Sequence, residues 1–298
     1  MKLTRRGFVH LTAGAAAMPA VPRVAGAQAY PSRPVAAESR LTNLPDGVVE
    51  VLVDGTGPLV VMIPSLGRGA EDFEELSRAA VAAGYWVARF QPRGVGGSVG
   101  RMTGITMQDL AAHVAAGIEA AGGGPAVVLG HANGQRLARM VAATRPGLVR
   151  AIIMLAAGGR VPAMPAPLAA LNAVFDESLS EAQHLEAVRI AFFAPGNDPT
   201  VWKDGWYPAT QKMQRAAGTS AAVDDWWSAG NSAPILIVQG LQDQLAVPAN
   251  GRMLRAEAPD RVELIELDGA AHALLPEKPA EIARAITTFL GRVTASSR

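Results

Sequence analysis

The 298-residue sequence contains no cysteine. That absence excludes disulfides, a thiolate metal site and a cysteine nucleophile, so packing of the core has to supply the stability. Aromatic residues are sparse at 5 %, and a chain rich in alanine and aliphatics with few aromatics fits an α/β domain better than a β-sandwich. Neither charge sign is in excess, with 27 bases against 26 acids. No internal repeat and no low-complexity tract follows the N-terminal region.

The N-terminal 29 residues read as a signal segment. Thr4-Arg5-Arg6-Gly7-Phe8-Val9 is a twin-arginine start, a weakly apolar stretch follows from Phe8 to Val21, and Ala25-Gly26-Ala27 or Ala27-Gln28-Ala29 offers small-residue cleavage sites. The apolar stretch is interrupted by His10, Pro19 and Pro22, and it falls short of the roughly 20 apolar residues of a membrane span. The expectation is a periplasmic or secreted protein with no membrane association once the signal is removed. The segment holds Lys2, Arg5, Arg6 and Arg23 and no acid, so its removal leaves 23 bases against 26 acids. A mildly acidic mature chain gives no footing for nucleic acid or an anionic membrane surface. The expected partner is a small-molecule substrate or ligand; the oligomeric state is left open.

A mature chain of this length suffices for one large domain. Residues 30–45, rich in proline and alanine at their start, read as a linker. From Gly47 onward, β-rich apolar runs alternate with helical patterns, which predicts a mostly parallel sheet of about eight strands with helices on both faces. "VVEVLVDG" (48–55) alternates and reads as an antiparallel edge strand, whereas "PLVVMI" (58–63) is continuously apolar and reads as central. Further strands are expected at 85–90, 126–130, 149–159, 234–240 and 262–269, with helices at 71–83, 107–121 and 280–290. Between the strands at 149 and 234 lie about 75 residues of helical pattern punctuated by Pro162, Pro165, Pro167, Pro195 and Pro199. A structureless loop of that length is unusual, so the stretch predicts a helical cap over a cleft. The domain reading is thus a core at 46–158 and 231–298 and a cap at 159–230. Trp202, Trp206, Trp226 and Trp227 fall in the cap and are candidates to line the cleft.

"AVVLGHANG" (126–134) has the layout strand, G-x-?-x-G, helix. This is the layout of a nucleophile elbow, in which a serine normally stands on the strained middle position. Here that position is Ala132, which has no atom able to attack a carbonyl.

Four segments in this order resemble the α/β-hydrolase fold superfamily over about residues 45–291: "VVMIPSLGRGAEDF", "GYWVARFQPRGVGGS", "LGHANGQ", and "VQGLQDQLAVP" followed by "LDGAAHALLPEKPAEIARAITTFL". The resemblance implies an acid at Asp243 and a histidine at His272. The acid would accept the Nδ1 proton and leave Nε2 free as a base. It also implies two backbone oxyanion donors, Leu66 and Asn133, although Pro64-Ser65 stand where a His-Gly pair is common. Arg68, beyond that loop, is a candidate to meet an anionic substrate.

Three readings stay open. The Asp243–His272 dyad acts as a base on water or substrate, with an ester, lactone or similar apolar carbonyl compound as the substrate class. Alternatively Ser65 serves as a displaced nucleophile, or the chain is a binder or sensor that keeps a capped pocket. No cofactor is expected. No histidine pair has the helical spacing of a metal site, so no metal is expected either.

Overall fold

The computed structural model describes residues 37–231 and 233–295. Residues 1–36, which include the expected signal segment and the start of the expected linker, lie outside these residues. Nine strands form one sheet: β1 (Glu38–Leu44), β2 (Gly47–Gly55), β3 (Leu59–Ile63), β4 (Trp86–Gln91), β5 (Val99–Gly100), β6 (Ala126–His131), β7 (Val149–Leu155), β8 (Ile235–Gly240) and β9 (Val262–Leu267). The order is β1-β2-β4-β3-β6-β7-β8-β9, with the two-residue β5 pairing to β2. From β4 to β9 every neighbour is parallel; β2 runs antiparallel to both β1 and β4.

Two sequence expectations change here. Residues 38–44, read as the end of a linker, form β1, and β2 is therefore covered by β1 rather than being the edge. The composition of β1, Glu-Ser-Arg-Leu-Thr-Asn-Leu, hides the strand because its residues are exposed or half-buried. By contrast all five residues of β3 are buried, as its unbroken apolar run predicts.

Alternation along β3 divides the core. Val61 and Ile63 face one layer, formed by α2 (Met107–Ala120) and α3 (Asn133–Thr144), and Val60 and Met62 face the other, formed by α1 (Glu74–Ala82) and α9 (Pro279–Ala295). Each large aliphatic side chain so buried contributes about 1.5–3 kcal/mol. Local signals set where the helices begin. Thr106 accepts from the Asp109 amide at 3.1 Å while the Asp109 carboxylate accepts from the Thr106 amide at 2.9 Å, a reciprocal capping box that starts α2.

The stretch between β7 and β8 carries α4 (Pro165–Ala173), α5 (Glu181–Phe192) and α6 (Pro208–Gly218), the helical cap expected from the sequence. α7 (Ala249–Glu257) follows β8, and the short α8 (Leu274–Glu277) precedes α9. Among the described residues no helix is long and apolar enough to cross a membrane.

Candidate active site

The elbow is built as a serine hydrolase would build it. Ala132 sits between β6 and α3 at φ 48°, ψ −106°, a region non-glycine residues rarely occupy. Its amide donates to the Leu155 carbonyl at 2.9 Å, which pins the turn to β7. The flanking glycines are forced by contact: a Cβ on Gly130 would lie 2.3 Å from the Gln135 nitrogen, and one on Gly134 would lie 2.2 Å from the Ile63 oxygen. Only a glycine at each place lets the helix leave the strand so sharply.

The dyad is assembled at the carboxyl ends of β8 and β9. His272 Nδ1 donates to the Asp243 carboxylate at 3.0 and 3.1 Å. Asp243 also accepts from the Leu245 and Ala246 amides at 2.9 and 2.8 Å and from Gln239 Nε2 at 3.2 Å. Gln239 is fully buried; its carbonyl accepts from the Ala157 amide at 2.9 Å and its amide donates to the Ala246 carbonyl at 2.7 Å. These bonds hold the carboxylate in one orientation and fix the histidine tautomer. Among the described residues His272 Nε2 makes no hydrogen bond, the state required of a base awaiting a substrate.

His131, the residue before the elbow, is completely buried beside the dyad. Its Nε2 donates to the His272 carbonyl at 2.8 Å, and the two rings stand 5.4 Å apart between centroids. Burial pushes the His131 imidazole down to about 3, and the neighbouring His272 adds to the shift. The ring is therefore neutral, and it braces the backbone of His272.

The two amides expected to serve as oxyanion donors, those of Leu66 and Asn133, are unpartnered among the described residues. Asn133 opens α3, so its amide is one of the helix's free N-terminal donors. The Asn133 side-chain nitrogen is likewise buried without a partner.

Other candidates are redistributed. Ser65 is buried, but its hydroxyl makes no hydrogen bond to His272, so the geometry of a displaced serine and base pair is missing. Arg68 is neither solvated nor free for an anionic substrate. It is buried, pairs with Asp72, donates to the Asp204 carbonyl at 2.7 Å, and lies 4.7 and 4.3 Å from the Trp202 and Trp206 rings. Trp202 and Trp206 do belong to the site's wall. Trp202 lies 5.9 Å from His131, and Phe192, which lies 5.7 Å from the His272 ring, lies 5.2 Å from Trp206. Trp226 and Trp227 do not line the cleft. They join the core cluster behind α3 and stack on the buried Arg139 at 4.5 and 5.2 Å, and the Trp227 indole donates to Glu257 at 2.6 Å.

Sequence reasoning missed Gln239 and Phe192. Gln239 is an interior polar residue at the end of an apolar strand, a signal in itself, since a buried amide needs partners. Nothing in the sequence marks Phe192, one aromatic on a cap helix. Among the described residues no group of three histidine, aspartate or glutamate side chains is placed to hold a metal ion.

A model of the family described as serine aminopeptidase, S33, matches residues 56–279. The chain belongs to this family of α/β-hydrolases. Solved structures of similar fold include a thermophilic esterase from Thermogutta terrifontis, at a TM-score of 0.70 and 19 % identity, covering 86 % of this chain and 98 % of that one. E-2-(acetamidomethylene)succinate hydrolase aligns at a TM-score of 0.66 and 23 % identity, covering 86 % and 99 %. In sequence, a polyketide synthase, ThaQ, of Burkholderia thailandensis is 27 % identical over 266 residues. The α/β-hydrolase chain aligns over 85 % of its own length but spans only 13 % of that synthase.

Proposed function

We propose that this α/β-hydrolase acts on a small apolar carbonyl compound, an ester or lactone, using the Asp243–His272 dyad as a general base in place of a serine nucleophile. The support for the reading is the unpartnered His272 Nε2, its ring held by a bonded carboxylate, together with the unpartnered backbone amides of Leu66 and Asn133. In the proposed reaction His272 takes a proton from water, and the water oxygen bonds to the carbonyl carbon. The amides of Leu66 and Asn133 receive the oxyanion. The C–O bond to the leaving group then breaks, and the alkoxide collects the proton from His272. Base catalysis of this kind is worth about 10²–10⁴-fold, without an acyl-enzyme. The aromatic wall of Trp202, Trp206 and Phe192 and the internal neutralisation of Arg68 by Asp72 favour an uncharged, apolar substrate.

Activity against a panel of p-nitrophenyl esters and lactones tests the reading. Turnover by the natural chain should drop about 10²-fold or more in His272→Ala, and intact-mass spectra should show no acyl adduct. Turnover unaffected by His272→Ala sinks the proposal. Tight ligand binding without conversion would instead identify a binder, the reading favoured by Ala132 itself. Ala132→Ser should gain esterase activity with an acyl adduct, because it restores a hydroxyl to the elbow of the site proposed here. The twin-arginine start supports export, to be checked by finding the processed chain in a periplasmic fraction and its loss in Arg5→Lys/Arg6→Lys.

A further inference from the structure

We propose that the cap holds the oxyanion loop in its working shape, with Gln214 of α6 as the positioning residue for the Leu66 amide. The proposal rests on the reading of Leu66 as an oxyanion donor given above. Over residues 64–68 the backbone hydrogen bonds that leave the segment go to the cap. The Gly67 amide donates to Gln214 Oε1 at 2.8 Å, and the Gly67 carbonyl accepts from the Tyr207 amide at 2.9 Å. Both backbone polar groups of Gly67, the residue after Leu66, are thereby fixed by the same stretch of cap, while the Leu66 amide makes no hydrogen bond among the described residues. Gln214 is buried, so its carbonyl has no water to turn to, and the bond to Gly67 is expensive to break.

Side chains reinforce the grip. Arg68 is clamped between Trp202 and Trp206 and bonded to the Asp204 carbonyl, while Tyr207 donates its hydroxyl proton to Glu71 at 3.2 Å. The glycine at 67 is itself a consequence of this contact. At φ 62° it occupies the left-handed region, and a Cβ there would lie 2.6 Å from Phe175 and 2.8 Å from Gln211, both cap residues. Within the loop itself the Arg68 amide bonds back to Ser65 at 3.3 Å, and the first tie to the sheet comes only at Ala70, whose amide donates to Gln91 at 3.0 Å. The oxyanion loop is thus shaped from the cap side, and a cap that moves away takes the geometry of Leu66 with it.

Hydrogen exchange of the whole protein, followed by peptide, decides the structural half without any substrate. In Gln214→Leu the peptide spanning 64–69 should exchange about tenfold faster while the elbow peptide 130–137 stays protected. Gln214→Glu, which keeps an acceptor for the Gly67 amide, should restore the slow rate, and Gly67→Ala should accelerate the loop by displacing the cap from its other side. A loop rate unchanged in Gln214→Leu, or an elbow rate that rises equally, overturns the proposal. In the Ala132→Ser background, Gln214→Leu should lower kcat about 10- to 100-fold, with KM nearly unchanged, because a donor displaced by about an ångström is lost to the transition state. A change confined to KM also overturns it. If the exchange result holds and His272→Ala leaves turnover unaffected, the coupling of cap and loop stands and the catalytic reading of the site falls.

Discussion

A buried histidine that stays neutral makes folding sensitive to acid. His131 is held at about 3 against an ordinary value of 6.5, chiefly by burial. Between those values the unfolded chain binds a proton that the folded chain refuses. Stability is therefore complete above pH 6.5 and is lost as pH falls toward 3, by up to about 1.4 kcal/mol per pH unit. Urea unfolding at pH 7 and 5.5, a span that lies above the ordinary carboxylate range, should show a loss of about 1.3 kcal/mol from this residue. His131→Gln keeps a donor for the His272 carbonyl and should abolish that share; an equal loss in the variant would show that His131 is not its source. His113, also pushed down by burial, adds a loss of the same sign that the variant leaves in place. The roles of single residues were unevenly legible. Asp243, His272, Leu66 and Asn133 follow the carboxyl ends of strands, and it is this position that made them candidates in the sequence. Arg68 was misread because its partners include the Asp204 carbonyl, 136 residues away in sequence, and two tryptophans of the cap. Trp226 and Trp227 were misread for the same reason, since only folding brings Arg139 beneath them.

At the scale of elements, the sharpest constraint is the crossing of α3 over the end of β3. Adding a methyl group at Gly134 drives it into two backbone carbonyls, those of Ile63 and Pro64, at 2.2 and 2.7 Å, and neither can turn aside. Gly134→Ala should destabilise the protein by about 3 kcal/mol in urea unfolding. Gly218→Ala, at the end of α6 with nothing within 4 Å of the new methyl, should be neutral or stabilising by up to about 1 kcal/mol. Similar costs at the two positions would refute the steric account of the elbow. The parallel strands were readable because each is a short apolar run between turn residues, and the boundaries at Ala126, Val149 and Val262 agree with the sequence. β1 was not, because a half-exposed strand at the rim of a sheet needs no apolar face, and its partner β2 supplies the pattern that β1 lacks.

Across the described residues, the cap is packed partly into the core and partly on itself. Trp226 and Trp227 belong to the same cluster as the helices behind the sheet, whereas Trp202 belongs to the cap's own cluster with Val188 and Phe192. Four of the five tryptophans lie between β7 and β8, so indole fluorescence reports mainly that region and far-ultraviolet dichroism reports the whole chain. The two thermal transitions should coincide; an earlier loss of fluorescence would mean that the cap melts on its own. How the cap meets the oxyanion loop could not be read in advance, because Gly67 and Gln214 are 147 residues apart and their contact exists only once both layers have formed. Enclosure at the elbow finally imposes an order in time. With Ala132 9 % and His272 6 % exposed, a ligand that reaches them is expected to wait for the cap to open. The observed association rate should climb with ligand concentration and then level off at the opening rate, typically on the microsecond-to-millisecond scale, so that at saturating ligand the protein and not diffusion keeps the clock.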